Sequence, residues 1–201
     1  HRIVPKPEAR ARLFELLDAV RIPDGDQRAD EYPHQLSGGL RQRVMIALGL
    51  AADPALLIAD EPTTGLDATA QSQIVDPLRD LVEHHDLALL LISHDLAVVD
   101  ACADRVAVMY AGQIIEGGPT RAVLHNPGHP YTRGLLASVP GTAPGTMLYG
   151  IEGTPPRLGA IPPGCAFAPR CPERFDPCET LMPDPWAYRS DAVARCRCHL
   201  H

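Results

Sequence analysis

Three shortages define this sequence before any of its motifs is considered. Lysine occurs once, as Lys6, and no segment reads G-x-x-x-x-G-K-[S/T], the loop whose lysine reaches the β- and γ-phosphates of a nucleotide. We therefore expect no self-contained phosphate-binding loop. Aromatic residues make up only 4% of the 201 residues, so leucine, valine, isoleucine and alanine must fill the core.

Charge and hydropathy argue against two further classes of protein. The net charge of −7 speaks against nucleic-acid binding, which needs a clustered basic surface. The longest apolar run, at residues 87–92, is far shorter than the ~20 residues of a membrane-spanning helix. That run has the length of a buried strand instead.

Hydrophobic periodicity predicts an α/β fold. Short continuous apolar runs are typical of strands covered on both faces, and helical spacing separates them. This alternation predicts a parallel sheet with right-handed crossovers. Strands are expected at 56–59, 87–92 and 105–110 with a short antiparallel addition at 113–116, and helices at 7–20, 39–52, 68–84, 95–103 and 131–139. Pro77 should break or kink the third helix.

Composition changes twice along the chain. From Asn126 onward the sequence is rich in proline and glycine, and five of the six cysteines fall between Cys165 and Cys198. We therefore predict four segments, 1–53, 54–126, 127–160 and 161–201, of which the last is a small cysteine-rich tail.

Two carboxylates follow the first predicted strand. Asp60 and Glu61, in LIADE, would lie at the carboxyl end of the strand, where α/β folds bind ligands. Asp60 could hold Mg²⁺ through water, and Glu61 could polarise an attacking water as a general base. An isolated Asp-Glu pair is more often a strand followed by an acidic helix cap, but the PTTGLD that follows at once favours the chemical interpretation.

Two further segments suit a phosphate. Ser37, Gly38 and Gly39 precede a predicted helix, with Ser37 as its N-cap, and free N–H groups at a helix N-terminus suit a γ-phosphate. On its own, this SGG would be a flexible turn. His94 follows the second predicted strand and could hydrogen-bond a γ-phosphate or the attacking water. A lone histidine is more often structural, but its place one strand after Asp60 and Glu61 favours catalysis.

Spacing alone leaves the chemistry of the cysteines open. Cys165, Cys171 and Cys178 are separated by five and six residues, and Cys198 or Cys196 could be a fourth ligand. These gaps are wider than the C-x₂₋₄-C spacing of structural zinc sites. Four thiolates held by loops would also suit an iron–sulfur cluster, and reduced, unligated cysteines on a loose tail are a third interpretation.

Together these motifs resemble the second part of an ATP-binding cassette (ABC) transporter nucleotide-binding domain. LSGGLRQR (36–43), ALLIADEPTTGLD (55–67) and LALLLISHDLAVV (87–99) occur in this order in such ATPases. NPGHPYTRGLLASVP (126–140) resembles the C-terminal extension of the oligopeptide/dipeptide importers. The resemblance implies the end of a helical subdomain over 1–53, half of a parallel-sheet core over 54–126 and the importer extension over 127–160.

The resemblance also implies a role for each matching residue. Glu61 would be the catalytic glutamate, His94 the switch histidine and Asp60 the aspartate that supports Mg²⁺. Residues of the signature motif would contact the nucleotide held by the opposite subunit, and a following loop would cross the dimer interface; these are Ser37, Gly38, Gly39 and Gln42 in the signature region and Gly65, Leu66 and Asp67 in the loop. The implied cofactors are ATP and Mg²⁺.

The tail extends the resemblance. GCAFAPRCP, a third cysteine and a final CHL resemble the tail of peptide-importer ATPases, some of which carry a [4Fe–4S] cluster. In that pattern the cysteine directly before His-Leu is the fourth ligand, so Cys198 is preferred to Cys196. Zinc is the alternative metal.

The implied function is ATP hydrolysis that powers the import of peptides or similar solutes. Its partners would be a second ABC ATPase subunit, identical or different, the transmembrane permease subunits and indirectly a peptide-binding protein, at the cytoplasmic face of the bacterial plasma membrane. The phosphate loop, the adenine-stacking strand and the glutamine loop are unmatched, so we expect a C-terminal part of a longer reading frame that is inactive alone. The alternative is a non-catalytic regulatory or metal-binding interaction module built around the cysteine tail.

Overall fold

The computed structural model describes residues 5, 8–84, 86–139, 150–157, 159–184 and 193–201. The chain forms two compact units, 1–102 and 103–201. This division differs from the segment boundaries expected near 53, 126 and 160, which stay predictions. Residues 140–149 of the predicted extension lie outside the described residues.

The first unit packs helices against a pair of parallel strands. Its strands are β1 (Leu56–Asp60) and β2 (Ala88–Ile92), and its helices are α1 (Ala9–Ala19), α2 (Gly25–Arg28), α3 (Gly38–Leu50), α4 (Ala68–His84) and α5 (Leu96–Cys102), with a 3₁₀ turn at Pro33–Gln35. The two strands run parallel, with Leu56 opposite Ala88 and Asp60 opposite Ile92. The predicted α/β alternation is confirmed here.

The core of the first unit is aliphatic, as the shortage of aromatic residues requires. Helices α1, α3 and α4 contribute most of a buried cluster that also takes in Leu57 of β1. At its centre Val20 and Ile74 have no exposed surface, and Leu78 is 1% exposed.

In the part of the chain that the structure describes, only one face of the parallel strands is covered. Leu57 and Ala59 are buried, whereas Leu56 and Ile58 are 50% and 59% exposed, and Leu90 of β2 is 49% exposed. The expectation that both strands are covered on both faces is therefore wrong for the described residues. The cause is that the helices of the buried cluster pack against one side of the pair, so side chains that alternate along a strand divide between core and solvent.

Pro77 lies inside α4 without ending it. The helix continues from Ala68 to His84 with Pro77 in its interior, so the helix does not break there; a kink, the other expected outcome, stays a prediction. Ile74, Leu78 and Leu81 are all buried, and tertiary packing of such an apolar face is the main source of helix stability in proteins. That packing offsets the backbone hydrogen bond that proline removes.

The second unit is built on an antiparallel sheet in the order β3-β4-β5. Its strands are β3 (Arg105–Tyr110), β4 (Gln113–Pro119) and β5 (Arg195–Cys196), its helices are α6 (Thr120–Leu124) and α7 (Pro130–Ala137), and a 3₁₀ turn spans Ala168–Arg170. The antiparallel β4 is confirmed, but the expectation that β3 extends the parallel sheet is wrong. Ala111 and Gly112 both have positive φ, +49° and +78°, which closes a tight two-residue hairpin and commits β3 to β4.

Several aromatic rings of the second unit gather around Phe167. The ring of Phe167 lies 5.4 Å from the rings of both Tyr110 and Tyr131, measured between centroids, and 5.9 Å from that of His129. Phe167 is 2% exposed. One phenylalanine thus joins strand β3, the start of α7 and the cysteine-bearing segment.

No helix within the described ranges combines the length and the apolar composition needed to cross a membrane.

Truncation of a buried leucine and of an exposed one should affect the stability of the first unit differently. Leu78→Ala should lower the free energy of unfolding by about 2–5 kcal/mol, because it removes buried methyl groups and leaves a cavity. Leu48, which is 67% exposed on α3, is the matched control, and Leu48→Ala should change the free energy by no more than about 0.5 kcal/mol. Urea unfolding followed by circular dichroism measures both. Equal destabilisation by the two variants would contradict the placement of Leu78 in the core.

Candidate functional site

Glu61 is the first residue after strand β1 and has an unusual backbone conformation. Its φ is +50°, in the left-handed region that residues other than glycine seldom adopt. Its N–H donates a hydrogen bond of 2.8 Å to the carbonyl oxygen of Ile92, which continues the β1–β2 pairing by one residue. This bond places Glu61 beside the residues that follow β2.

The carboxylate of Glu61 is held by three donors. Nδ1 of His94 lies 2.7 Å from Oε2 of Glu61, and the backbone N–H of His94 donates to Oε1 at 3.1 Å. The hydroxyl of Thr64 donates to Oε2 at 2.8 Å. The structure therefore brings the two predicted catalytic residues into direct contact and fixes the orientation of the carboxylate.

Thr64 was missed by the sequence analysis. It closes a turn in which its N–H donates to the carbonyl of Glu61 at 3.2 Å, and the same turn brings its hydroxyl to the carboxylate. The spacing of three residues in Glu61-Pro-Thr-Thr is the signal that could have suggested it, since side chains often bond across such turns.

These contacts shift the pKa values of both groups. The hydrogen bond from His94, followed by that from Thr64, lowers the pKa of Glu61. The hydrogen bond to Glu61, followed by the negative charge of that carboxylate, raises the pKa of His94. The side chains are 36% and 76% exposed, so solvent screens the pair and its main effect is orientation rather than stability. These contacts thus keep the Glu61 carboxylate ionised and fix its orientation.

Asp60 is the last residue of β1 and is exposed. It precedes Glu61 directly, so two carboxylates stand at the carboxyl end of a parallel strand pair. Exposed carboxylates in this position suit Mg²⁺, which binds proteins through one or two carboxylates and keeps several waters.

Helix α3 begins with accessible N–H groups. The side-chain oxygen of Ser37 caps the helix by accepting a hydrogen bond from the N–H of Leu40 at 3.3 Å, which confirms the predicted N-cap. The N–H groups of Gly38 and Gly39 belong to the first turn, where no intrahelical acceptor exists, and they carry the positive end of the helix dipole. Ser37 and Gly38 are exposed, so an anion could reach these donors.

The turn at Gly65–Asp67 lies next to the start of α3. Gly65 has φ +76°, and Asp67 accepts a hydrogen bond of 2.8 Å from the N–H of Ala70 at the start of α4. A Cβ atom on Gly38 would stand 3.4 Å from the side chain of Leu66. The residues predicted for the signature motif and for the interface loop are therefore neighbours.

The remaining predicted residue, Gln42, lies half-buried on α3. Within the described part of the chain, no hydrogen bond or ion pair joins Ser37 or Gln42 to Glu61 or His94. Glu61 and His94 therefore form one group in direct contact. The start of α3 is a second group that is not bonded to the first.

Arg43 connects three segments, and the sequence analysis gave it no role. It is 9% exposed, and its guanidinium donates to the carbonyl of Arg21, after α1, and to the side chain of Gln73, on α4. Burial lowers its pKa. These contacts fix α3, and with it the SGG turn, against the rest of the first unit. An arginine in the polar run Arg-Gln-Arg gives no sequence signal of such burial.

In the second unit, four cysteines line a single cavity. Cys165, Cys171, Cys178 and Cys198 surround it together with Phe167 and other residues, and its volume is about 10 Å³, room for about one water molecule. All four are free thiols. The N–H of Cys165 donates to the carbonyl of Cys178 at 2.8 Å, which fixes two of the cysteines relative to each other.

Cys196 and Cys198 lie in different surroundings. Cys196 belongs to β5, where it pairs with Glu116 of β4, and it has no exposed surface. Cys198, two residues later, lines the cavity. Of the two candidates for a fourth ligand, the structure therefore puts Cys198 beside the other three cysteines.

The thiols differ in how readily they ionise. A hydrogen bond from Cys196 is the largest cause that lowers the pKa of Cys198 to about 6. Burial raises the pKa of Cys165 and of Cys171. Cys198 can therefore ionise at neutral pH, whereas the other two would lose their protons as a metal binds, since metals bind thiolates.

The thiols are not already gathered around a point. In the ranges that the structure describes, no group of three or more Cys, His, Asp or Glu side chains is arranged to hold a metal ion. A single Zn²⁺ with bonds of about 2.3 Å would bring its sulfur ligands within roughly 4 Å of one another. The four thiols would therefore have to draw together around a single Zn²⁺, whereas a [4Fe–4S] cluster, which is far larger than one water molecule, would need the cavity to widen.

Comparison with known proteins places two regions of the chain in families. Residues 2–64 match the family described as ABC transporter, and residues 115–178 match the family described as oligopeptide/dipeptide transporter, C-terminal region. The chain is 48% identical over 198 residues to the oligopeptide transport ATP-binding protein AppD of Bacillus subtilis (strain 168), covering 98% of this chain and 60% of AppD.

Two further matches agree. The dipeptide transport ATP-binding protein DppD of the same organism is 48% identical over 91% of this chain and 55% of its own length. The dimeric structure of MJ0796, a bacterial ABC transporter cassette, is similar with a TM-score of 0.52 and 30% identity over 60% of this chain and 51% of that chain. The chain thus spans 60% of the length of AppD and 55% of the length of DppD. Its α/β fold is similar to that of ABC ATPase cassettes, and the chain belongs to the ABC transporter family, with the C-terminal region of its oligopeptide/dipeptide transporters.

Proposed function

We propose that this chain is part of an ATP-binding subunit that hydrolyses ATP to power the import of peptides or similar solutes. The observation that carries the proposal is the contact of Glu61 with His94 across the ends of β1 and β2. The relatives named as oligopeptide and dipeptide transport ATP-binding proteins support peptides as the solute class.

In this mechanism each residue acts on the γ-phosphate or on the attacking water. Glu61, ionised and held by His94 and Thr64, orients the water and accepts its proton. His94 donates a hydrogen bond to the γ-phosphate or the water and so holds the reacting groups in line. Mg²⁺ would neutralise phosphate charge, and Asp60 would hold it through water.

The start of α3 suits a nucleotide that another subunit holds. Its exposed N–H groups at Gly38 and Gly39 can bind a γ-phosphate, and no hydrogen bond in the described ranges links Ser37 to Glu61 or His94. We therefore assign Ser37, Gly38, Gly39 and Gln42 to the nucleotide of a second ATPase subunit, identical or different, with Gly65–Asp67 at the dimer interface. The solved dimer of MJ0796 supports such pairing.

The proposed partners follow from this assignment. Closure of the ATPase pair on ATP would act on transmembrane permease subunits, to which a peptide-binding protein delivers the solute. The subunit would then work at the cytoplasmic face of the plasma membrane.

The cysteine cavity supports a second function, the binding of a metal group. Four thiols line one cavity, and the pKa of Cys198 is lowered to about 6. Cysteine thiolates are the ligands of iron–sulfur clusters, and the donor set fits a [4Fe–4S] cluster held by Cys165, Cys171, Cys178 and Cys198, with zinc as the alternative. Such a group would supply electron transfer or would cross-link the tail. The same site would also suit the alternative function, a non-catalytic regulatory module.

Glu61→Gln tests the hydrolytic role. In the transporter reconstituted in liposomes, this substitution should lower ATP turnover and peptide uptake by about 10²–10⁴-fold, because it removes the general base while conserving size. Glu83, an exposed residue that pairs with Arg79 along α4, provides the matched control Glu83→Gln, which should leave both rates unchanged. Equal rates in the two variants would instead favour the non-catalytic interaction module.

The ionisation of the pair tests the geometry. His94 has a pKa raised above 6.5, so its stabilising charge is complete below that value and is lost as pH rises through the raised value. Glu61 has a pKa lowered below 4.5, so its contribution is present above that value and is lost as pH falls through the lowered one. Both groups are therefore charged across the window between the two shifted values.

Glu61→Gln should accordingly bring the pKa of His94 back toward 6.5, as measured by NMR titration of the imidazole C–H signals. Asp67→Asn is the control, because Asp67 caps α4 and an asparagine preserves that cap. A His94 pKa that is the same in wild type and Glu61→Gln would refute the contact.

Substitution of single cysteines tests the metal site. Cys171→Ser, Cys178→Ser and Cys198→Ser should each abolish stoichiometric iron or zinc binding in anaerobically purified protein, measured by metal analysis and the visible spectrum. Cys196→Ser should retain the metal, because Cys196 lies in β5. Cys102→Ser, in α5 of the first unit, is the control. Wild-type protein that is colourless and free of metal would contradict the proposed metal site.

A further inference from the structure

The histidine of the HPYT segment has no part in the ATP chemistry, yet it is among the most deeply buried polar side chains of the chain. His129 is 1% exposed and stands at the N-cap of α7, where its Nδ1 accepts a hydrogen bond of 3.0 Å from the N–H of Tyr131. A ring nitrogen that accepts a hydrogen bond carries no proton. A neutral imidazole in this position therefore carries its proton on Nε2.

The ring is neutral at physiological pH. Burial, and after it the positive charges of Arg133 and His201, lower the pKa of His129 to about 4. The tautomer is thus set by the helix cap, and Nε2–H is a hydrogen-bond donor.

This donor has no acceptor of its own within the described ranges. Nε2 of His129 is buried without a hydrogen-bond partner, and buried donors almost always have one. A contact with the backbone of Arg197, the smallest of the causes, raises the pKa of His129. The Arg197 carbonyl is therefore a competing acceptor, but Nε2 has no hydrogen-bond partner in the described structure. The donor is therefore available to something else.

The ring lines the same cavity as the four cysteines. Its backbone is fixed there by Glu116, whose buried carboxylate accepts hydrogen bonds from the N–H groups of Gly128, at 2.6 Å, and His129, at 3.1 Å. Glu116 also pairs with Cys196 in the β4–β5 ladder, two residues before Cys198. Glu116 thus holds the histidine through its carboxylate and the cysteine strand through its backbone.

We propose that Nε2–H of His129 donates a hydrogen bond to a sulfur of the metal group held by Cys165, Cys171, Cys178 and Cys198, and that it thereby raises the reduction potential of that group. The inference rests on the proposed iron–sulfur site. Hydrogen bonds to cluster sulfurs and thiolates are among the factors that set the potential, and a donor stabilises the more negatively charged, reduced form. His129 is a positioning and tuning residue here, and it is not a ligand.

His129→Asn separates the donor from the helix cap. Asparagine is among the best N-cap residues, so α7 should keep its cap, but its shorter side chain carries no donor to the cavity. In the anaerobically purified chain, iron and sulfide content should match wild type. The ratio of reduced to oxidised cluster at a fixed potential should fall about tenfold, which is ~59 mV for a one-electron couple. A redox titration followed by electron paramagnetic resonance measures this shift.

A second measurement detects the proton itself. After exchange into D₂O, pulsed electron paramagnetic resonance of the reduced cluster should show a coupled deuteron that disappears in His129→Asn. His125→Asn is the matched control, because His125 is exposed and does not line the cavity; it should change neither measurement.

Three outcomes would overturn the inference. An unchanged potential with a full cluster in His129→Asn would refute it and assign Nε2 to the Arg197 carbonyl. Loss of iron in both His129→Asn and His129→Ser, which also preserves a cap, would refute it by making His129 necessary for binding. Wild-type protein without iron would refute the iron–sulfur proposal itself, and this inference with it.

Discussion

The parallel register of β1 and β2 is the constraint on which the nucleotide chemistry depends. Asp60 lies opposite Ile92, and the next N–H along β1 bonds to the Ile92 carbonyl. Because parallel strands end on the same edge of a sheet, the residues that follow them must meet. A slip of one strand by one residue would reverse the faces of that strand and separate the glutamate from the histidine.

A buried carboxylate has the corresponding role in the second unit. Glu116 is 1% exposed, and two backbone N–H groups before α7 bond to it. Its strand neighbour on the other side is Cys196. Two segments far apart in sequence are thereby joined at one residue, the first through its side chain and the second through its backbone. This explains how a His-Pro-Tyr-Thr segment and a distant cysteine tail come to form one cavity.

The sequence was a good guide where chemistry is local. Ser37 caps its helix, the strands fall close to the expected positions, and Glu61 and His94 meet because each lies within two residues of the end of an apolar strand. It was a poor guide where the outcome depends on contacts between distant segments. One example is the sheet that β3 joins, since β3 lies with β4 and β5 and not with the parallel pair. Another is the course of α4 through Pro77, which burial of an apolar face stabilises.

The same reason explains the residues that were missed. Arg43 and Glu116 are charged residues that the fold buries, and nothing in their sequence neighbours indicates burial. The tautomer of His129 depends on one N–H two residues away and on a cavity formed by residues far along the chain. The metal-binding role of the cysteines and the segment boundaries stay predictions.

The positive φ of Glu61 has a consequence for variation at this position. A residue other than glycine in this conformation carries a strain of roughly 1–3 kcal/mol, which glycine would relieve. A glycine here would relieve the backbone strain but would remove the carboxylate. Stability and activity therefore oppose each other at this one residue, and a search for more stable sequences that ignored turnover would tend to discard the glutamate.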